Sequence, residues 1–166
     1  MPHSVPVSKL MVLRNEWPQL LADADVCSAI KILRIITEEK KLEHGHSTPL
    51  VLDEHYNLLG FVHLTDLLKS IKYLWEKSAT ACDTDQQLPL IKDLVVPFAA
   101  VVQPDDSILK ALDIMMEHNV SLVPVMKDGK LQGLIKLADI FNTVSALLFD
   151  EADPQERHRL MRDYHA

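Results

Sequence analysis

The sequence predicts an α/β chain (α+β by some schemes) made of two tandem β-α-β-β-α repeats. Two observations carry this. "GFVHLTDLL" at 60–68 and "GLIKLADIF" at 133–141 are nearly one phrase written twice, sharing the glycine, a leucine and the aspartate. Around each phrase the same order recurs: an apolar run, a capped helical stripe, a short apolar strand, a turn and a returning strand. With 166 residues and 48% hydrophobic composition, the chain is globular and long enough for two small units sharing a core.

In the first copy, "LMVLR" (10–14) is expected as the leading strand. Asp25 is placed to cap a helix whose stripe is Val26, Ala29, Ile30, Leu33 and Ile36. "PLVLD" (49–53) reads as a strand, "HYN" (55–57) as part of a turn, and "LLGFV" (58–62) as the partner strand. Asp66 then opens a helix reaching about Trp75.

The second copy is clearer. "LVVPFAAVVQPDDS" (94–107) runs from an apolar stretch into a turn cluster, with Ser107 as N-cap. Ile108, Ala111, Leu112 and Met115 recur at helical spacing and the pattern stops near His118 and Asn119. "LVPVM" (122–126), "KDG" (127–129) and "LQGLI" (131–135) read as a hairpin, and Asp139 opens a helix to about Leu148.

These readings place the first repeat at 8–76, a polar linker at 77–89, the second repeat at 90–148 and a charged tail at 149–166. Val26 to Gly60 spans 34 positions against 25 from Ile108 to Gly133, the excess falling in loops, mostly "EEKKLEHGHST". Asp153 as cap and Pro154 at the first helical position make the tail a candidate helix, held only by Leu160, Met161 and Tyr164. The repeat helices carry more apolar residues than one buried face needs: Cys27, Ile32 and Ile35, then Leu109 and Met116, then Leu67, Leu68, Ile71, Leu74 and Trp75. A second apolar face is either intrachain core or an interface, and a homodimer through these helices is expected.

The formal charge of −7 makes nucleic acid and anionic membrane poor partners. No apolar run is long enough to span a bilayer, and "MPHSVPVSKL" lacks the pattern of a secretory signal. Cys27 falls in an apolar helix and Cys82 in the linker, with no CxxC, so a disulfide framework or zinc site is not expected. The sequence thus reads as a cytoplasmic protein with reduced thiols. "HGH" (44–46) with His55 and His63 is too irregular for a metal site and reads as solvated histidines. With four glycines there is no phosphate loop, and no catalytic constellation is visible, so no enzyme activity is expected.

The doubled order, the proline-bearing strands "TPLVLD" and "LVPVM", and the phrase glycine–x–apolar–x–x–x–aspartate resemble a pair of CBS domains (cystathionine-β-synthase-type domains), a Bateman module, over roughly residues 8–148. The resemblance implies repeats packed about a pseudo-two-fold axis, sheets inside and helices outside, with two clefts between them. It implies that the clefts take an adenosyl ligand (AMP, ADP, ATP or S-adenosylmethionine), with no cofactor required, and that modules pair through their helices.

The residues themselves offer a chemistry for such clefts. Gly60 and Gly133 mark places where another group comes close to a strand. A helix start attracts anions, and an acid there either caps the helix or accepts from a ribose diol. By resemblance Asp66 and Asp139 match the ribose-binding aspartate. Three positions after each glycine, where ligand-binding relatives carry threonine or serine, this chain has His63 and Lys136. Either Lys136 meets a phosphate as a cation and His63 does so when protonated, or these larger side chains fill the clefts. Thr65 offers a hydroxyl that its counterpart Ala138 lacks; Thr48 and Ser121 are candidate minor contacts, and Val12, Leu13, Val95 and Val96 are candidate adenine walls. The function expected is a non-enzymatic regulatory module that senses an adenosyl ligand and signals through a homodimer to an effector protein. The alternative is a ligand-independent dimerisation or interaction module with its clefts filled by His63 and Lys136.

Overall fold

Each repeat is finished by the other's leading segment, as the computed structural model shows. It describes residues 5–39, 48–76, 88–149 and 153–164. In chain order these form strands β1 (Val12–Leu13) and β2 (Gln19–Leu21), helix α1 (Val26–Glu38), strands β3 (Leu50–Leu52) and β4 (Leu58–Phe61), and helix α2 (Leu64–Glu76). Helix α3 (Ile108–His118), strands β5 (Leu122–Lys127) and β6 (Lys130–Lys136), and helices α4 (Leu137–Leu148) and α5 (Pro154–Tyr164) follow. One sheet has the order β2-β3-β4 and the other β1-β6-β5.

The local signals act as expected at most ends. Asp25 Oδ1 accepts from the Ser28 N–H at 2.9 Å and its Oδ2 from the Ser28 hydroxyl at 2.7 Å. The hydroxyl, then the amide, hold this carboxyl below its ordinary pKa. Ser107 caps α3 through the Lys110 N–H, and Asn119 closes that helix in the left-handed region at φ 52°. The β5–β6 turn has positive φ at both Asp128 and Gly129, the backbone that two-residue hairpin turns require. Asp153 Oδ1 accepts from the Gln155 and Glu156 N–H groups at the start of α5.

The leading strands depart from expectation. Val12–Leu13 does not join the first repeat: it runs antiparallel to β6 of the second, with Val12 opposite Leu134. The first sheet instead begins with Gln19–Leu21, parallel to β3. The second repeat's apolar run makes isolated bridges, Val96 to Phe61 of the first sheet and Val102 to Val125 of its own. So each leading segment crosses to the other repeat, and only after it does the chain enter its own sheet. The 3-10 turns before these strands do the same. Val7, in the turn Val7–Lys9, is buried with Val102, Ile108, Ile135 and Ile140. Ile91, in the turn Ile91–Asp93, is buried with Leu20, Val26, Val51 and Leu67. Periodicity could not show this exchange, because a two- or three-residue strand carries no pattern that names its partner.

The exchange explains both repeated glycines. A Cβ at Gly60 would land on the Val96 carbonyl, and one at Gly133 on the Val12 carbonyl. The group that comes close is therefore the crossing backbone, which cannot swing aside as a side chain could. Gly60→Ala is expected to cost about 1–3 kcal/mol through forced backbone shifts. Chemical denaturation of the variant measures this, and unchanged stability would show that the crossing strand yields freely.

A third apolar layer, Val12, Trp17, Leu50, Leu131 and Leu134, lies between the two sheets. The helices carry the outer faces, where Ile32, Ile35, Leu68 and Met116 are exposed as the second-face pattern predicts. Cys27 is a correction. It is buried, as expected, but disulfide-bonded and not a reduced core thiol. The fold brings the chain back to this helix start, where the Val26 N–H donates to the Pro89 carbonyl. The histidines at 44–46 and the linker through 87 lie outside the described residues.

Candidate ligand cleft

The sequence puts the end of β4 and the start of α2 beside the crossing segment of the second repeat, and a cavity opens there. Its volume is about 310 Å³. The first repeat contributes Thr48, Phe61 and His63; the crossing segment contributes Val96 to Ala100; and the turn between α3 and β5 contributes Asn119 to Leu122, including Ser121. Phe61 and Phe98 meet at 4.9 Å between ring centroids, tilted by 48°. His63 sets its ring edge-on to Phe61 at 5.0 Å. The wall thus combines aromatic faces with two hydroxyls, one amide and one imidazole. His63 is the ionisable side chain of the described lining. Aromatic faces suit a planar heterocycle, and the few convergent polar groups suit its sugar or an anion.

The strand alternation places His63 and Lys136 as expected. Val62 and Ile135 are fully buried, while His63 is exposed and Lys136 half-buried on the opposite face. Asp66 lies in the first turn of α2, its N–H donating to the His63 carbonyl at 3.0 Å. Its carboxylate approaches Lys69 Nζ at 3.8 Å, a pair loosened by water because the lysine side chain is 77% exposed. Asp139 is held differently. Lys136 Nζ sits 3.4 Å from its Oδ2, and the two side chains are only 25% and 29% exposed. Neither Asp66 nor Thr65 is among the cavity's lining residues; they lie just beyond His63 on α2.

The structure therefore gathers His63, Thr48 and Ser121 around one cavity and sets Lys136 and Asp139 together away from it. Of the four candidate adenine walls, Val96 lines the cavity, whereas Val12 is buried in the layer between the sheets. Sequence reasoning missed Phe61, Phe98 and Asn119. Phe61 stood inside the repeated phrase, and its unmatched aromatic, opposite Leu134, was the available signal.

Comparisons with known proteins bear on the family and the fold. The sequence matches the CBS domain family over residues 20–73 and again over 91–146. The chain belongs to the CBS domain family. A relative in Bacillus subtilis (strain 168), the CBS domain-containing protein YhcV, is 36% identical over 50 residues, 30% of this chain and 36% of that protein. The match thus spans little more than a third of that relative's length. Among solved structures, the CBS-pair protein CBSX2 from Arabidopsis thaliana superposes with a TM-score of 0.62 at 22% identity, covering 87% of this chain and 96% of that one. A structure of CBSX2 in complex with AMP superposes at 0.61, also at 22% identity, over 86% of this chain and 98% of that one. The cytosolic domain of the Mg2+ channel MgtE in complex with ATP gives 0.64 at 18% identity, over 84% of this chain and 49% of that one. At these identities the likeness shows the fold. It is the tandem CBS pair that the repeated phrase announced.

Proposed function

We propose that this CBS pair is a regulatory, non-catalytic module that binds an adenosyl ligand in the cleft beside His63. The observation that carries the reading is the cavity itself. It lies between the repeats, against the repeated phrase, and joins the Phe61–Phe98 aromatic wall to Thr48, Ser121, Asn119 and His63. A purine fits against the rings, a ribose diol reaches toward Asp66, and His63 meets a phosphate or carboxylate. That related CBS structures hold AMP or ATP supports the same choice of ligand class.

Occupancy becomes a signal only if it favours one arrangement of the repeats. The surface through which it would pass is the apolar outer face. Phe141 is 67% exposed, Met116 64% and Leu148 62%, on α3 and α4. We place a homodimer contact there, with an effector protein reading its geometry. Among the described residues no helix is long and apolar enough to cross a membrane. In place of the reduced thiol behind the expected cytoplasmic placement, Cys27 is in a disulfide, a bond that persists in oxidising surroundings.

Thermal-shift and calorimetric titration with AMP, ADP, ATP and S-adenosylmethionine test the reading. At least one is expected to raise the melting temperature, and Asp66→Ala is expected to weaken that compound about tenfold, the loss of a charge-assisted hydrogen bond pair. No shift with any of the four at millimolar concentration would leave the dimerisation module as the better account.

A further inference from the structure

Helix α5 has a firm start and nothing to lie on. The Asp153 carboxylate accepts from two N–H groups of its first turn, and Pro154 opens it. Yet each of its 11 residues is exposed. A helix this short is marginal in water unless an apolar face is buried against something. Such a face is present. Leu160, Met161 and Tyr164, three and four positions apart, share one side and are all exposed.

A groove between α3 and α4 matches this face in chemistry, length and charge. Leu112 of α3 and Leu137, Phe141 and Leu148 of α4 line a hollow of about 250 Å³, closed at one end by Phe149. In its lining only Ser145 is polar. At 1.5 Å per residue α5 is about 15 Å long, and the groove from Leu137 to Leu148 about 17 Å. Within α5, Arg157, Arg159 and Arg162 outnumber Glu156 and Asp163, although the whole chain has a formal charge of −7. Asp113 and Glu117, both exposed, stand one position after Leu112 and Met116 on α3 and give that rim a negative charge. The outer face of the first repeat differs. Its exposed Ile32, Ile35 and Leu68 lie among Lys31, Lys69 and Lys72, which would repel the arginines.

Within one chain the helix and the groove both stay open, since Phe141 and Leu148 are as exposed as the α5 stripe. Two copies can close both together. A two-fold arrangement repeats each contact, so the α5 of each copy fills the groove of the other.

We infer that the α3–α4 groove is the docking site for α5 of a second copy, the Leu160–Met161 stripe lying on Phe141 and Leu148 and the arginines facing Asp113 and Glu117. The inference rests on the homodimer reading above and names the segment that seals it. It is independent of whether the cleft beside His63 takes a ligand.

Sedimentation velocity and cross-linking on the full chain test it. Wild type is expected to be a dimer at tens of micromolar. Leu160→Asp with Met161→Asp should raise the dissociation constant at least tenfold, and Phe141→Asp should do the same from the other side. For cross-linking, a Met161→Cys chain and a Ser145→Cys chain are mixed with a short bismaleimide. A linked pair is expected from the mixture and from neither chain alone. A wild-type dimer that keeps its affinity in the Leu160–Met161 variant would overturn the docking and leave the homodimer standing. So would a chain carrying both cysteines that links within itself, since α5 would then occupy its own groove. A monomeric wild type would overturn the docking and the homodimer together. Circular dichroism separates a lost contact from a lost fold, and the α5 variant, changed only at exposed positions, keeps the test decisive if Phe141→Asp does not fold.

Discussion

Trp17→Ala is expected to destabilise the chain by about 3–5 kcal/mol, the range for deleting a large aromatic from a packed core. Trp17 is nearly fully buried in the layer that joins the two sheets, among Val12, Leu50 and Leu134. Truncation removes that apolar contact and leaves a void that neither sheet can close without moving the other. It also strands the Thr48 carbonyl, which accepts the indole N–H. Trp17→Phe separates the two contributions: it restores much of the volume but not the donor, so the remaining loss should be nearer the roughly 1–3 kcal/mol of an unsatisfied buried acceptor. Urea denaturation followed by far-ultraviolet circular dichroism measures both. A Trp17→Ala variant within about 1 kcal/mol of wild type would mean that the layer between the sheets collapses freely, against close packing there.

Ile91→Ala is the second large effect, at about 2–5 kcal/mol for a buried aliphatic. Ile91 is fully buried, yet its companions Leu20, Val26, Val51 and Leu67 all belong to the first repeat. Its N–H donates to the Ala24 carbonyl and the next N–H to the Ala22 carbonyl, so the backbone is tied there as well. Val7 stands in the mirrored position, in the core of the second repeat. Because each core contains residues from both halves, neither half can unfold and leave the other intact. Loss at Ile91 should therefore shift one cooperative transition for the whole chain. Two separate transitions, with only the first repeat weakened, would contradict the exchange.

The same exchange marks how far the sequence could be read. Helix starts were legible because a cap is a local event: Asp25 and Ser107 each bond an N–H three residues on. The β5–β6 hairpin was legible because Asp128 and Gly129 tolerate positive φ. The leading strand at 10–14 was found in about the right place but assigned to the wrong sheet, since its length could not reveal a partner more than a hundred residues away. At the site, His63, Thr48 and Ser121 were named from the repeated phrase and its neighbours, and they line one cavity. Phe98 was missed because it enters from the other repeat's crossing segment.

By itself the sequence determined that this chain is one unit written twice, with a glycine, a strand end and a helix-start aspartate in each copy. Those features are local, and residues within a few positions of each other specify them. Only the tertiary structure decided that the copies trade leading segments and that Gly60 and Gly133 make room for backbone. Those outcomes depend on contacts between distant segments. Val12 meets Leu134, Val96 meets Phe61, and the Trp17 indole reaches the Thr48 carbonyl, each across a stretch of chain too long for a local pattern to name.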